Sequence, residues 1–376
     1  MTEKKHIVFL AGWYPSKVIP LNGDFIQRHA EAVALLHKVT VVHVITDPKA
    51  TKTSITDTEI NGIRTLIAYI KPSRFKLLLF FATYLRLLKK VGKFDIIHVN
   101  KLFPVGIIAV YYKWFKGVKY IISEHHHIYH SPYNKKISFV EKLFSKTITK
   151  QAAYVCPVSN NLGSAMQKFG LKGNYHKVPN VIYTGIFTPK KQQDDTVFTL
   201  LHVSNMTKLK NVAGILETIA VLQQHIPHFK FYLLGGNATK FIEMAHNLGI
   251  DKDNIVFVGG VSQEELATYY KKADVFLLFS TIETFSCVIY ESLSSGTPVI
   301  STDVGGIKEH FPTEYGRLVA QGDKEELLRS ILEIHRSKTT ATATAMHQYI
   351  QDKFSPLSIA KQFSALYKEL YKVSLF

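Results

Sequence analysis

The segment "ETFSCVIYESLSSGTPVISTDVGGIKE", residues 283–309, concentrates residue types that could bind an elongated, polyhydroxylated anion. Glu283 and Glu291 stand eight positions apart, and carboxylates so spaced can accept hydrogen bonds from two different parts of one ligand. The tract "FSCVIYESLSSG" predicts a helix stopped at Gly296. If the whole interval were helical, the two carboxylates would be separated by roughly 12 Å. Backbone N–H groups near Phe285, Ser286 and Cys287 then lie at the positive end of that helix, a place suited to phosphate oxygens. The paired glycines Gly305 and Gly306 open a second backbone-rich loop. Upstream, "FTLLHVS" is followed by "NMTKLKN", so that Lys208 and Lys210 fall in a strand-to-helix loop where they can neutralise a departing phosphate, with Asn211 as the helix cap. Other readings stay open: Glu283 as a helix cap, Glu291 as a solvated charge, and the lysines as ordinary surface residues.

These residues need a scaffold that presents loops at one edge of a sheet, and the chain has that pattern. "HIVFLAG", "KVTVVHVI", "FDIIHVN", "KYIISEH" and "AAYVCPVS" in the first half read as buried strands, as do "FTLLHVS", "FKFYLLGG", "NIVFVGG", "ADVFLLFS" and "GTPVIST" in the second. Amphipathic tracts alternate with them, which predicts an α/β chain of two doubly wound, Rossmann-like domains. Domains are expected over 1–185 and 186–355, joined through a linker at 178–196, with a closing helix over 356–376 that starts at Pro356 and can pack back on the first domain. Gly23 ends a long loop after the first strand, and no G-x-G-x-x-G dinucleotide fingerprint follows it.

Composition narrows the partners. Residues 1–180 hold 27 Lys and Arg against 9 Asp and Glu, whereas 181–376 hold 19 against 20. The positive excess therefore lies entirely in the first half, which suggests an anionic partner there. The tract "SRFKLLLFFATYLRLLKKVGK", residues 73–93, combines an apolar helical face with Arg74, Lys76, Arg86, Lys89, Lys90 and Lys93. It reads either as an amphipathic helix on an anionic membrane surface or as a core helix with a basic rim. No apolar run approaches the roughly 18 residues that span a bilayer, and the N-terminus shows no signal-peptide pattern. With two unpaired cysteines, Cys156 and Cys287, the expected location is cytoplasmic, peripherally associated with the inner face of the membrane. Basic charge also raises nucleic acid as a partner, but no module with interleaved aromatics supports it. Four histidines in "EHHHIYH", residues 124–130, raise metal binding, yet no cysteine or carboxylate set completes a site and no metal is expected.

Taken in order, these motifs resemble one family. "ETFSCVIYE" is similar to the E-x7-E motif of retaining glycosyltransferases of the GT-B fold, glycosyltransferase family 4 (group 1), and "GTPVISTDVGGIKE" is similar to its following segment. "FDIIHVN", "ISEH", "CPVSNNLGSAMQKFG" and "VPNVIYTGIF" resemble further family segments, so the likeness runs over nearly the whole chain. The resemblance implies a nucleotide-sugar donor bound by the C-terminal domain, an acceptor bound by the N-terminal domain, and catalysis in a cleft between them. It implies that Glu291 holds the ribose, that Glu283 with the backbone after it, at Thr284, Phe285 and Ser286, orients the sugar, and that Lys210 meets the diphosphate. His125 then faces the sugar, positioning hydroxyls, while Gly23, Gly305 and Gly306 approach the donor. Where the family commonly carries an arginine this chain has Thr207, and where it commonly has glycine after the first glutamate this chain has Thr284.

A retaining transfer of this kind needs no cofactor beyond the nucleoside-diphosphate sugar itself, and cationic side chains with helix N-termini replace a divalent metal at the leaving group. The acceptor expected is lipid-linked or an envelope glycan. A GT-B nucleotide-sugar epimerase, or a degenerate subunit that binds the donor without turnover, are the alternatives.

Overall fold

The structure is a computed structural model that describes residues 4–191, 197–237, 239–337 and 341–372. The chain forms two compact units, one made of residues 1–181 together with 356–376, the other of residues 182–355.

The first unit is built on a seven-stranded sheet in the order β3-β4-β2-β1-β5-β6-β7. Its strands are β1 (His6–Ala11), β2 (Lys38–Thr46), β3 (Ser54–Ile60), β4 (Ile63–Ile70), β5 (Ile96–Asn100), β6 (Lys119–Glu124) and β7 (Tyr154–Pro157). All pairings are parallel except β3 with β4. Continuous apolar runs explain the parallel strands, because such a sheet is covered on both faces: Ile7 through Ala11 are fully buried. The hairpin β3–β4 is absent from the strands expected above. Its signal was present in Asn61-Gly62, whose backbones both adopt positive φ, 49° and 77°, as the tight hairpin turn requires. β3 is an exposed edge carrying Asp57, which pairs with Arg64 at 2.9 Å and with Lys90 at 3.1 Å.

That second contact modifies the reading of the basic tract at 73–93. The helix Lys76–Val91 buries Tyr84, Leu87, Leu88 and Val91 in the unit, so its C-terminal half is a core helix and Lys90 is engaged in an ion pair. Its N-terminal end differs, with Phe75, Leu77 and Leu78 all exposed. The helix Pro356–Lys372 contributes to the same unit: the hydroxyl of Tyr367 is hydrogen-bonded to Nδ1 of His98 at 2.7 Å, and Ser364 Oγ to Nε2 of His37 at 3.0 Å. Residues 373–376 of the expected closing helix lie outside the described residues.

The second unit has a six-stranded, all-parallel sheet ordered β10-β9-β8-β11-β12-β13. The strands are β8 (Phe198–Val203), β9 (Phe229–Leu234), β10 (Ile255–Val258), β11 (Val275–Leu278), β12 (Val299–Thr302) and β13 (Gly316–Val319). β13 was not among the expected strands, since four residues at a sheet edge carry little pattern. The expected linker at 178–196 is packed rather than free over its middle. Phe187 is fully buried, its carbonyl accepts from Ser294 Oγ at 2.6 Å, and Lys190 N–H donates to the Ser295 carbonyl at 2.9 Å. Residues 192–196 lie outside the described residues.

In both sheets the strand order reverses direction once, between β1 and β5 in the first and between β8 and β11 in the second. Loops diverge at such a switch point and leave a crevice at the C-terminal ends of the strands, where open parallel sheets bind ligands.

Candidate active site

In the second unit the loops after β8, β11 and β12 bring the candidate residues together. After β8 the chain makes a single 3-10 turn, Lys208–Lys210, and Asn211 then takes a left-handed conformation, φ 47°. Its side chain accepts the N–H of Gly214 at 3.3 Å and so caps the helix Val212–Leu222, as expected. The Thr281 N–H donates to the Leu209 carbonyl at 2.8 Å and ties this turn to the loop after β11. Across that tie, Lys210 Nζ donates to Glu283 Oε1 at 2.6 Å, and Ser280 Oγ donates to the same oxygen at 2.8 Å. Glu283 is buried; Lys208 is exposed.

The paired glycines after β12 also serve Glu283. The Gly306 N–H donates to the Glu283 carbonyl at 3.1 Å, and a Cβ on Gly305, whose φ is +60°, would lie 1.7 Å from that carbonyl oxygen. No side chain fits there, so the loop and the glutamate are held as one piece.

The helix after Glu283 starts at Cys287 and ends at Ser294. The interval from Glu283 to Glu291 is thus only partly helical, and the all-helical spacing of roughly 12 Å does not apply. The Phe285 ring stacks on Tyr290 at 4.6 Å and meets Phe354 at 5.5 Å, so its side chain belongs to the core and its backbone is the part left for a ligand, the part the sequence reading named. Ser286 is different, being buried with an Oγ that has no hydrogen-bond partner among the described residues, which suits a site for a ligand oxygen. Thr284 is half-buried beside it. Glu291 is buried on the helix, 3.5 Å from the Tyr270 hydroxyl.

Two residues here escaped the sequence reading. Ser280 fixes the rotamer of Glu283, and His202 fixes the loop that bears Lys210. His202 bonds through Nδ1 to the Leu277 carbonyl at 2.9 Å and through Nε2 to Ser204 Oγ at 2.8 Å, and that hydroxyl accepts the Met206 N–H at 3.0 Å. Burial, reinforced by the Lys210 charge, lowers the His202 pKa to about 4, so the ring is neutral at pH 7. A polar residue inside the apolar run "LLHVS" was the available signal.

The first unit holds the other candidates. Gly23, φ 78°, sits at the N-cap of the helix Asp24–Ala34, and a Cβ on it would lie 2.6 Å from the Trp13 carbonyl carbon. Its lack of a side chain lets the loop after β1 fold onto Trp13. His125 follows β6 and is buried, with Nδ1 3.0 Å from Asn180 Oδ1 and its ring between Phe25, 4.6 Å away, and His29, 5.4 Å away. Burial and the neighbouring His29 hold its pKa well below the usual histidine value. Its backbone is pinned by Glu124, whose Oε1 accepts the N–H groups of His125 and His126, both at 2.9 Å, while Oε2 accepts Leu102 N–H at 2.8 Å. Burial raises the Glu124 pKa against those bonds and the Lys101 charge. The run "EHHHIYH" therefore disperses: His126 lies edge-on to Trp13 at 4.9 Å, and His130 Nε2 is bonded to Asn161 Oδ1 at 2.6 Å. Among the described residues no group of three or more histidine, cysteine or acidic side chains is arranged to hold a metal ion.

Residues 25–186 match the model of Glycosyltransferase Family 4, and residues 186–353 match that of Glycosyl transferases group 1. The chain belongs to this glycosyltransferase family. This family 4 member is 27% identical over 238 residues to alpha-monoglucosyldiacylglycerol synthase of Streptococcus pneumoniae, covering 56% of this chain and 52% of the relative. The chain spans about half the length of the first curated relatives it matches. Among solved structures it is similar to sucrose-phosphate synthase from Thermosynechococcus elongatus, with a TM-score of 0.78 at 21% identity, covering 99% of this chain and 100% of that one. Anabaena HepE in complex with UDP gives 0.74 at 16% identity, covering 97% and 100%. The fold of this family 4 chain is GT-B, two Rossmann-like units, the first on a mainly parallel sheet and the second on a parallel one. No helix among the described residues is long and apolar enough to cross a membrane.

Proposed function

We propose that the protein is a retaining, metal-independent glycosyltransferase that moves a sugar from a nucleoside-diphosphate sugar to an acceptor hydroxyl, in the synthesis of a glycolipid or envelope polysaccharide. The observation that carries this reading is the Lys210–Glu283 pair at the switch point of the second sheet, with Glu291 on the helix behind it. In this reading the donor's diphosphate takes Lys210 as its counter-ion, assisted by Lys208 and by the backbone start of the helix Cys287–Ser294. Glu283, released from Lys210, accepts hydrogen bonds from sugar hydroxyls, and Glu291 accepts those of the ribose. The bond from the anomeric carbon to the diphosphate oxygen breaks, the bond to the acceptor oxygen forms on the same face, and the acceptor proton passes to the departing phosphate. A neutral His125 serves as hydrogen-bonding partner to sugar hydroxyls rather than as a base. The named activity of the pneumococcal relative and the UDP held by HepE support a nucleotide-sugar donor and a lipid acceptor. The basic first unit, with exposed Arg74, Lys76, Arg86, Lys89 and Lys93, suits peripheral docking at an anionic membrane face.

The test is a thermal-shift screen of UDP-, GDP- and ADP-sugars, followed by anomer analysis of the product by NMR. One donor class should raise the melting temperature in proportion to ln(1 + [L]/Kd), and the product should keep the donor's anomeric configuration. An inverted product removes the retaining assignment. Stabilisation by none of the sugars removes the reading, and stabilisation without turnover marks a binding subunit.

A further inference from the structure

The helix Phe139–Gln151 in the first unit is built inside out. Its buried positions are Ser145, Ile148 and Thr149, while Phe139, Val140, Leu143 and Phe144 form a stripe at positions i, i+1, i+4 and i+5 that faces solvent. Phe139 is 80% exposed. The helix Gly106–Lys116 packs beside it and adds Trp114 and Phe115, the latter 67% exposed; the helix Lys76–Val91 packs beside that one through Phe81 and Tyr111, 5.7 Å apart. Large apolar side chains exposed on neighbouring elements mark an interaction surface rather than chance.

The charges around the surface select the partner. The three helices carry four, two and three basic residues in chain order and a single acid, Glu141. Exposed Lys135 and Lys136 stand just before the third helix. Aromatic and leucine side chains ringed by lysine are what an anionic bilayer interface accommodates, the rings among the acyl chains near the headgroups and the ammonium groups against phosphate. Of the basic residues on these helices Lys90 is engaged by Asp57 and Lys113 by the Gln151 carbonyl, so the headgroup contacts fall to the exposed ones.

We infer that this face inserts into anionic lipid: Phe139, Leu143, Phe144, Trp114 and Phe115 enter the interface while the surrounding lysines hold the headgroups. The inference rests on the membrane-facing part of the proposed function and adds to it that binding is partly apolar, and therefore only partly reversed by salt. It also moves the principal contact from the basic tract at 73–93 to the helix Phe139–Gln151.

Trp114 reports on it directly. The chain has two tryptophans, so a Trp13→Phe variant leaves Trp114 as the sole indole. Its emission is expected to shift to the blue on vesicles of phosphatidylglycerol mixed equally with phosphatidylcholine, to be quenched by brominated acyl chains, and to keep most of the shift in high salt. Phe139→Ser/Phe144→Ser should weaken co-sedimentation with those vesicles about tenfold or more with an unchanged melting temperature, since the removed rings are exposed; Phe115→Ser provides an independent variant if the first misfolds. An unshifted emission, full release by salt, or equal binding of the double variant overturns the inference, as does a blue shift that follows protein concentration without vesicles and so reports self-association. Nucleotide release from the sugar panel is measured in the same preparations without lipid, so a protein that turns over donor yet ignores vesicles loses only this inference.

Discussion

Lys210 Nζ and Glu283 Oε1 meet at 2.6 Å although the two residues are 73 positions apart in the chain. The pair joins the loops on either side of the switch point in the second sheet, and Ser280 holds the glutamate from the other side. A cation and an anion compensating each other in a half-buried site can exchange partners when a ligand brings both a negative diphosphate and neutral hydroxyls.

Replacing either member should abolish that exchange. Lys210→Ala and Glu283→Ala are each expected to lower kcat/KM for nucleotide release from the preferred sugar by about 10²–10³-fold. Because the two act as a unit, the double variant should be little worse than the worse single one. Wild-type turnover in either variant refutes the assignment.

Gly305 offers a test of geometry alone. Gly305 and Gly322 both adopt positive φ, but only at Gly305 does a Cβ meet an atom, the Glu283 carbonyl; at Gly322 the space is open. Gly322→Ala should cost about 1 kcal/mol, the backbone penalty. Gly305→Ala should cost more, read from urea midpoints, and should also reduce stabilisation by the donor, because Glu283 must move. Equal costs in the two variants would show that the close approach is unimportant.

Metal chelation should leave turnover unchanged. Lys210 and the start of the helix Cys287–Ser294 supply the positive charge for the leaving group in the proposed reaction. Activity lost in EDTA and restored by magnesium or manganese would require a different leaving-group stabiliser.

Acidification should destabilise the protein early. His29, His43 and His202 have pKa values lowered by burial to about 4, and those of His98 and His125 lie well below the usual value. Below about pH 6.5 the unfolded chain binds protons that the folded chain refuses, so the contribution of each neutral ring is complete above that pH and is lost as pH falls toward 4. Each such histidine costs up to about 1.4 kcal/mol per pH unit across that window. Glu124, with its raised pKa, acts in the opposite sense and only partly offsets five rings. Urea midpoints at pH 7, 6 and 5 should fall steadily; a flat profile contradicts the neutral-ring picture.

The sequence disclosed most of the architecture because parallel strands buried on both faces leave unbroken apolar runs such as "HIVFLA" and "ADVFLLF". It marked Lys210 and Glu283 as candidate site residues, but their mutual ion pair depends on a strand order that no local pattern carries. His202 was hidden for the same reason, since its Nδ1 bonds the Leu277 carbonyl across strands and 75 positions away, whereas Ser280 lies three residues before Glu283 and a loop serine carries no local mark of its role. The place of the Phe285 ring was not legible either, because its core neighbours Tyr290 and Phe354 are brought to it only by the fold. The exposed stripe of the helix Phe139–Gln151 was equally illegible, since periodicity reveals an apolar face without saying which way it points.

The first unit is discontinuous, with the helix Pro356–Lys372 returning to a body whose sheet runs from β1 to β7. During synthesis its sheet is therefore made long before the helix Pro356–Lys372 exists, and His98, His37 and Phe363 can reach their packing only after the entire second unit has been translated. A ribosome stalled anywhere before Pro356 carries a first unit with an open side. The helix Pro356–Lys372 thus acts as a completion signal: only a chain translated past it can close the earlier unit, and products that stop short of it remain marked by uncovered apolar surface.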